Sequence, residues 1–291
     1  MSAPERGYAD GPIIKPAVWT WEVPVYFFVG GSAGMAGLIA GVVFLLADAR
    51  GELEAALPLV SRALWIAFAG AVLSPPLLIS DLGRPRRFLN MLRRFNRTSA
   101  LSVGVWILIA FSGAVTAALW LHGARLVWPS WPGSPASFHG LLAPLLGCVA
   151  ILGGLLATYT GVLVAATVVP AWNRHRALLP VHFGLASLAA ASAWLVLLGS
   201  GGAAVVRLML AALVLDALIE LLMARSDRSA GSPHAQSVLA VMWMPVVAAV
   251  TASTGLVWIA ALIVLAMSLN GRFAWVRRGT RLKTAADPVS R

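Results

Sequence analysis

Charged residues are scarce in this sequence. Asp, Glu, Lys and Arg make up 11% of its 291 residues, whereas 59% are hydrophobic. Soluble globular proteins carry about 25% charged residues, because charge keeps their surfaces hydrated. The composition therefore excludes a soluble domain and predicts an all-α, polytopic protein of the lipid bilayer. A net charge of +11 would suggest nucleic acid as the partner of a soluble protein. In a membrane protein it is expected from basic cytoplasmic loops, so no nucleic-acid partner is predicted.

Cysteine is almost absent as well, since Cys148 is the only one. A single thiol cannot form an intrachain disulfide. An iron–sulfur cluster held by this chain alone would take about four thiolates. The sequence therefore predicts no iron–sulfur cluster of its own.

Long apolar runs fill most of the chain. A membrane span takes about 20 mostly apolar residues. The stretch at 238–269 fits either one long tilted helix or two helices that meet near 251–255. Six other runs are clear, at 25–47, 60–79, 101–121, 141–169, 181–198 and 203–224.

Charge in the loops favours the second alternative for that stretch. If each run crosses the membrane, the arginines at 80–100, 170–180 and 225–235 all face one side. The basic tail after residue 270 joins that side only if the number of spans is even. We therefore predict eight spans, with both termini on the basic side, which the positive-inside rule makes cytoplasmic.

Histidine is too sparse for the usual membrane haem site. A bis-histidine haem takes pairs of buried histidines on different helices. His175 and His234 fall in predicted loops, and the other three stand at span ends. No haem is therefore expected, although His122 and His139 lie on one side and leave that pairing open.

Ionisable residues at membrane depth are costly, so each one is a functional hypothesis. Glu22 and Tyr26 at the start of the first span are four residues apart and share a helix face. The alternative is an interfacial anchor, with Glu22 at the favourable end of the helix dipole. Tyr159 in the fourth span is either a ligand-binding residue or a donor to a neighbouring backbone carbonyl.

Asp216 and Glu220 in the sixth span are again four residues apart, on one face. Such a pair suits proton uptake or release. The alternative is an ion pair with an Arg or His of a neighbouring helix. In the eight-span topology the ionisable candidates cluster in the half of the membrane nearer the basic side, which favours an enzyme or electron-transfer site over a transporter.

Residues 81–108 carry the most specific motif, DLGRPRRFLNMLRRFNRTSALSVGVWIL. It resembles the characteristic segment of the NrfD/PsrC family, the polysulfide-reductase-type membrane subunits. WTWEVPVYFFVGGSAGMAG at 19–37 resembles the first helix of that family, and YTGVLVAATVVPAWN at 159–173 resembles its Tyr-Thr-Gly helix. The matches spread over about residues 19–185.

The resemblance implies eight spans arranged as two four-helix bundles. The implied boundaries are an N-terminal segment at 1–23, a quinone-site bundle at 24–170, a second bundle at 171–276 and a basic tail at 277–291. Such a subunit carries no redox centre and binds quinone, either menaquinone or ubiquinone, near one membrane face. A partner iron–sulfur subunit exchanges electrons with it and serves a catalytic subunit that contains molybdenum or another centre.

The resemblance also implies which residues contact the quinone. Tyr159 matches the quinone-contacting tyrosine of the family, while Glu22 and Tyr26 match the polar groups at its first helix. Asp81 and Arg84 belong to the basic-loop motif, where they are expected to pair and turn the chain. Some relatives carry Asn and His where this chain has Glu22 and Trp21, so the ligand set differs there.

The chemistry of quinone reduction suggests roles for the remaining polar groups. Quinone reduction takes two electrons and two protons, and no electron carrier is expected in this chain. Tyr159 is predicted to donate a hydrogen bond to one quinone carbonyl, and His182, Glu22 or Asp81 to serve the other. Asp216 and Glu220 are predicted to form a proton path.

Two further functions stay open on the sequence alone, a secondary transporter or proton channel and a pure membrane anchor. The predicted location is the bacterial inner membrane, with both termini cytoplasmic. Many relatives place their partner subunits in the periplasm, whereas the charge rule points the basic loops inward. The face that carries the partner is therefore left open.

Overall fold

A computed structural model describes residues 19–81, 93, 95–127, 135–167, 170–229 and 245–286. Every regular element in these ranges is helical, which confirms the all-α prediction. Residues 245–253 are helical as well. The named helices are α1 (Glu22–Arg50), α2 (Leu53–Asp81), α3 (Ala100–Val127), α4 (Pro135–Ala165), the short α5 (Pro170–Asn173), α6 (Leu178–Leu195, extended by a π-helical turn, Val196–Ser200), α7 (Ala203–Ser229) and α8 (Val257–Ala286).

Six of these helices, α1, α2, α3, α4, α6 and α8, are long and apolar enough to cross a membrane. This confirms a multi-pass membrane protein. Helix α7 spans 27 residues, enough for a crossing by length. It differs from the six because charged residues are spread along its length, among them Arg207, Asp216, Glu220 and Arg225.

Helix α1 lies at the centre of the packing. It contacts α2, α4, α6 and α8, and helices α1 to α4 touch in a closed ring. Gly34 of α1 and Gly153 of α4 allow the closest approach, since a Cβ on either one would collide with the carbonyl oxygen of the other. Small residues let backbones approach in this way where no hydrophobic effect drives association.

Tryptophans bring both ends of the described chain to the same end of the molecule. Trp19 stacks on Trp172 with ring centroids 4.8 Å apart. The indole N–H of Trp172 donates to the backbone carbonyl of Trp275, 2.9 Å away. The residues before α1, the helix α5 and the C-terminal half of α8 therefore meet at what we call the Trp19 end.

At the opposite end of the molecule, Arg62 of α2 forms hydrogen bonds with the π-helical turn that follows α6. Its Nη1 donates to the Ser200 hydroxyl at 2.8 Å and to the Gly199 carbonyl at 3.2 Å. Gly199 has φ of 81°, a left-handed conformation that glycine adopts without strain. A cation beside free carbonyls at a helix C-terminus is also favoured by the helix dipole.

The second half of the 81–108 motif forms the start of α3. The Asn96 side-chain oxygen accepts hydrogen bonds from the Thr98 N–H at 3.0 Å and the Thr98 hydroxyl at 2.7 Å. Ser99 precedes the helix, and its hydroxyl accepts from the Ser102 N–H at 3.4 Å, as an N-cap does. The hydrogen bonds of this turn and of the N-cap therefore explain why Asn96, Thr98 and Ser99 occur in the motif.

The contact between α1 and α4 predicts that Gly153→Ala destabilises the protein. The new methyl group meets backbone rather than a movable side chain. We therefore expect the free energy of unfolding to fall by about 1–3 kcal/mol. Thermal unfolding of the protein in detergent measures this. Gly147→Ala on the same helix is the control, because its Cβ meets only Leu45 Cδ1 at 4.0 Å. Equal midpoints for the two variants would contradict the prediction.

Candidate functional site

An apolar cavity of about 200 Å³ opens among α1, α2, α3 and α4 at the Trp19 end. Of the residues predicted to bind a ligand, Tyr26 lines it and is buried. None of the described residues that line it carries a charged side chain. Those residues are Trp19, Val23, Tyr26 and Phe27 before and on α1, Leu77 and Leu78 on α2, Leu101 on α3 and Leu163 on α4.

Tyr159 lies one helical turn deeper than the cavity lining. It precedes the lining residue Leu163 by four positions on α4, and its ring packs against Gly104, three positions after the lining residue Leu101. A side chain at Gly104 would collide with this ring. The Tyr159 hydroxyl is buried and has no hydrogen-bond partner of normal geometry in the described part of the chain. It lies close enough to Tyr26 for electrostatic interaction.

The other residues predicted around this site stand apart from the cavity or outside the described residues. Glu22 is half-buried at the first position of α1, and its carboxylate accepts a hydrogen bond from the Thr20 hydroxyl. It does not line the cavity. Asp81 ends α2, with its side chain outside the described part, and Arg84 lies wholly outside the described residues.

His182 lies in a second polar cluster, between α6 and α7. Its Nδ1 is 2.7 Å from Asp216 Oδ1 and its Nε2 is 3.4 Å from Glu220 Oε1. All three residues are buried. The structure therefore joins His182 to the two carboxylates, whereas the sequence assigned it to the quinone. The contacts fit the alternative of an ion pair across helices, and the roles of these residues in quinone binding and proton transfer stay predictions.

Helix α8 completes this cluster with two residues that the sequence reasoning missed. The Trp275 indole N–H donates to Glu220 Oε1 at 3.2 Å. Arg272 is only 2% exposed, and its Nη2 donates to the Phe183 carbonyl at 2.8 Å and to the Ser187 hydroxyl at 2.9 Å. Its guanidinium lies 4.0 Å from the centre of the Phe183 ring, a cation–π contact.

The cluster balances charge inside the helix packing. Arg272 interacts electrostatically with both Asp216 and Glu220, and a buried charge needs such partners. A neutral imidazole donates from one nitrogen only, whereas an imidazolium donates from both. With both carboxylates ionised and a neutral His182, the four groups carry one net negative charge. One added proton makes them neutral, so the cluster is chemically able to hold one exchangeable proton.

Two phenylalanines separate the cavity from this cluster. Phe27 lines the cavity, Phe183 lies beneath Arg272, and their rings meet edge to face with centroids 5.7 Å apart. The cavity and the cluster are therefore neighbours across an apolar contact.

A signal for Arg272 was present in the sequence. It stands inside the apolar segment Val257–Arg277, where a charge is costly and marks a functional residue. In the sequence, Arg272 was counted with the arginines of the basic tail and was therefore not treated as a buried charge. Within the described ranges, no group of three or more His, Cys, Asp or Glu side chains is arranged to hold a metal ion.

Comparison with known proteins agrees with this architecture. A search of curated protein sequences gives no significant match. The profile of the family described as "Polysulphide reductase, NrfD" matches residues 13–279, nearly the whole chain. The chain therefore belongs to the polysulphide reductase NrfD family, which makes it a membrane subunit of a redox complex.

Proposed function

We propose that this chain binds quinone or quinol in the cavity at the Trp19 end and exchanges electrons with a partner iron–sulfur subunit. The observation that carries the proposal is the Tyr159 hydroxyl, which is buried one turn below the apolar cavity without a hydrogen-bond partner of normal geometry. Ligand sites of this kind combine an apolar lining with a few placed polar groups. The apolar side chains that line the cavity in the described part of the chain suit a neutral, hydrophobic ring.

The tyrosines have distinct tasks in this proposal. Tyr159 donates a hydrogen bond to a carbonyl oxygen of the ligand, and Tyr26, on the cavity wall, contributes a second hydroxyl. Glu22 and Asp81, which lie at the same end, are proposed to complete the site when the partner is bound, together with Arg84 from outside the described residues. Phe27 and Trp19 provide apolar surface for the ring and exclude water from it.

The partner is proposed to dock at the Trp19 end, close to the cavity. Four arginines next to the helix termini at this end, Arg93, Arg97, Arg174 and Arg176, are exposed. Their charge suits an acidic protein surface, which such a field attracts and orients. The iron–sulfur subunit would relay electrons between the quinone and a catalytic subunit with molybdenum or another centre.

We infer eight crossings from the course of the chain. Because Trp19 and Trp275 meet at one end, α1 starts and α8 finishes there, and the number of crossings is even. Helix α7 also returns to this end, since Glu220 contacts Trp275. One more crossing must then lie between α7 and α8, in the stretch where residues 245–253 are helical. The ring of α1 to α4 would be the first four-helix bundle and the remaining crossings the second.

This topology predicts that residues near both termini label from the same side of the membrane, which we propose is the cytoplasmic side of a bacterial inner membrane. Single cysteines at Ser2 and Ser290 in a Cys148→Ser background, probed with an impermeant maleimide, test it. A cysteine at Glu52, between α1 and α2, serves as the opposite-side control. Labelling of Ser2 and Ser290 positions from opposite sides would contradict an even count.

Tyr159→Phe should reduce quinone turnover about tenfold, because a lost hydrogen bond is worth about 1 kcal/mol and more when a buried acceptor is left unpaired. Steady-state quinone reduction or quinol oxidation by the purified complex measures it. Thr158→Val is the control, since the Thr158 hydroxyl already bonds the Gly154 carbonyl of its own helix at 2.8 Å. Wild-type turnover in Tyr159→Phe would remove Tyr159 from the quinone site.

Asp216 and Glu220, with His182 between them, are proposed to hold and pass the protons that quinone chemistry requires. Their cluster adjoins the Trp19 end through Trp275. Phe27 and Phe183 lie between the cluster and the cavity, so a proton path between the two regions has to pass around this pair.

Glu220→Gln keeps an oxygen for the Trp275 indole but removes the carboxylate. We expect turnover to fall at least about tenfold while assembly is retained, because a positioned proton-transfer group contributes typically 10²–10⁴-fold. Glu52→Gln, an exposed carboxylate between α1 and α2, is the control. Turnover of the complex in detergent gives the rate, and copurification of partner subunits reports assembly. A fully active Glu220→Gln would remove Glu220 from the proton path.

A further inference from the structure

Ser74 of α2 has a hydroxyl that its own helix leaves without a partner. The residue is fully buried, and among the described residues its Oγ has no hydrogen-bond partner. Serines in transmembrane helices usually bond the carbonyl four residues earlier. The control cases in this chain do so: Ser32 bonds Phe28 at 2.7 Å, Ser112 bonds Leu108 at 2.7 Å and Ser192 bonds Leu188 at 2.9 Å.

The position of Ser74 relates it to the cavity. Leu77 and Leu78, which line the cavity, follow Ser74 by three and four residues on α2, so all three lie on one helix face. On α1, a Cβ built on Gly30 would lie 3.3 Å from Ser74 Oγ and 3.6 Å from Tyr26 Cε2. Even a methyl group at Gly30 would be in tight contact with the Ser74 hydroxyl, so Ser74 packs closely against α1 next to the Tyr26 ring.

Ser74 lies one turn below the cavity lining, and Tyr159 lies at the same depth on α4. Within the described ranges Ser74 Oγ has no hydrogen-bond partner, and the Tyr159 hydroxyl has none of normal geometry, although it approaches the Gly104 backbone. Burying a hydroxyl without a hydrogen bond costs roughly 1–3 kcal/mol. Neither residue lines the cavity itself, so an acceptor that extends one turn below the lining, past Tyr26, would satisfy both hydroxyls.

We infer that Ser74 is a ligand-binding residue and that Tyr26, Ser74 and Tyr159 together form a hydroxyl floor for a neutral ligand with carbonyl acceptors. The inference rests on the proposed quinone function and extends it to α2. In this arrangement Tyr159 and Ser74 reach the ligand from α4 and α2, on two sides of α1. Hydroxyls donate without adding charge, which matches a neutral quinone better than a carboxylate or phosphate.

The local sequence of α2 supports a special role for this turn. Pro75 and Pro76 follow Ser74 directly inside the helix. Proline has no N–H, so the helix loses the two hydrogen bonds to the carbonyls of Ala71 and Val72. The Ser74 hydroxyl bonds neither carbonyl.

Binding of a short-chain benzoquinone to the purified complex tests the role of Ser74. Calorimetric titration should show Ser74→Ala binding about three- to tenfold more weakly than wild type, the effect of one hydrogen bond. Ser192→Ala, equally buried but bonded to its own helix, should bind as wild type does. Infrared spectra with a ¹³C-carbonyl quinone should show one carbonyl band at higher frequency in Ser74→Ala only.

Unchanged affinity and an unchanged carbonyl band in a folded Ser74→Ala overturn the role of Ser74, and mean that its hydroxyl meets at most a water molecule. If Ser74→Ala does not fold, Gly30→Ala tests the same space, because its methyl group intrudes beside Ser74 Oγ. It should weaken binding, and wild-type affinity there overturns the inference. No quinone binding by the wild-type complex would instead overturn the proposed function itself.

Discussion

The arrangement of this protein depends on the backbone contact between Gly34 of α1 and Gly153 of α4. Neither position has room for a Cβ, because each faces the carbonyl oxygen of the other. Tyr26 lies two turns from this contact on α1, and Tyr159 lies fewer than two turns from it on α4. The distance between the two tyrosines is therefore set by glycines that take no part in binding.

Buried charge follows a second constraint, the need for partners inside the packing. Asp216 and Glu220 on α7 are stabilised by His182 from α6 and by Arg272 and Trp275 from α8. Removing Arg272 would take away the positive charge that lies near the two buried carboxylates. The packing of three helices is therefore tied to the charges of this cluster.

Much of the fold could be predicted from the sequence, because a membrane span is a property of a continuous stretch of residues. The all-helical, multi-pass architecture and the family are confirmed. The pairing of Asp216 and Glu220 on one face also follows from helix periodicity. Periodicity does not identify the neighbour of that face, so the sequence placed His182 with the quinone ligands and overlooked Arg272. It also gave no reason to notice Ser74, whose unpartnered hydroxyl is visible only once α1 lies beside it.

The tryptophan contacts at the Trp19 end have a consequence for how the protein is made. Trp19 lines the cavity and stacks on Trp172, whose indole is bonded to the backbone of Trp275, 103 residues further along the chain. During synthesis α1 to α4 are available to assemble first, yet Trp172 gains its hydrogen-bond acceptor only after α8 has been inserted. The rim of the cavity is thus among the last parts of the chain to be completed, and a truncated translation product would expose an unfinished site.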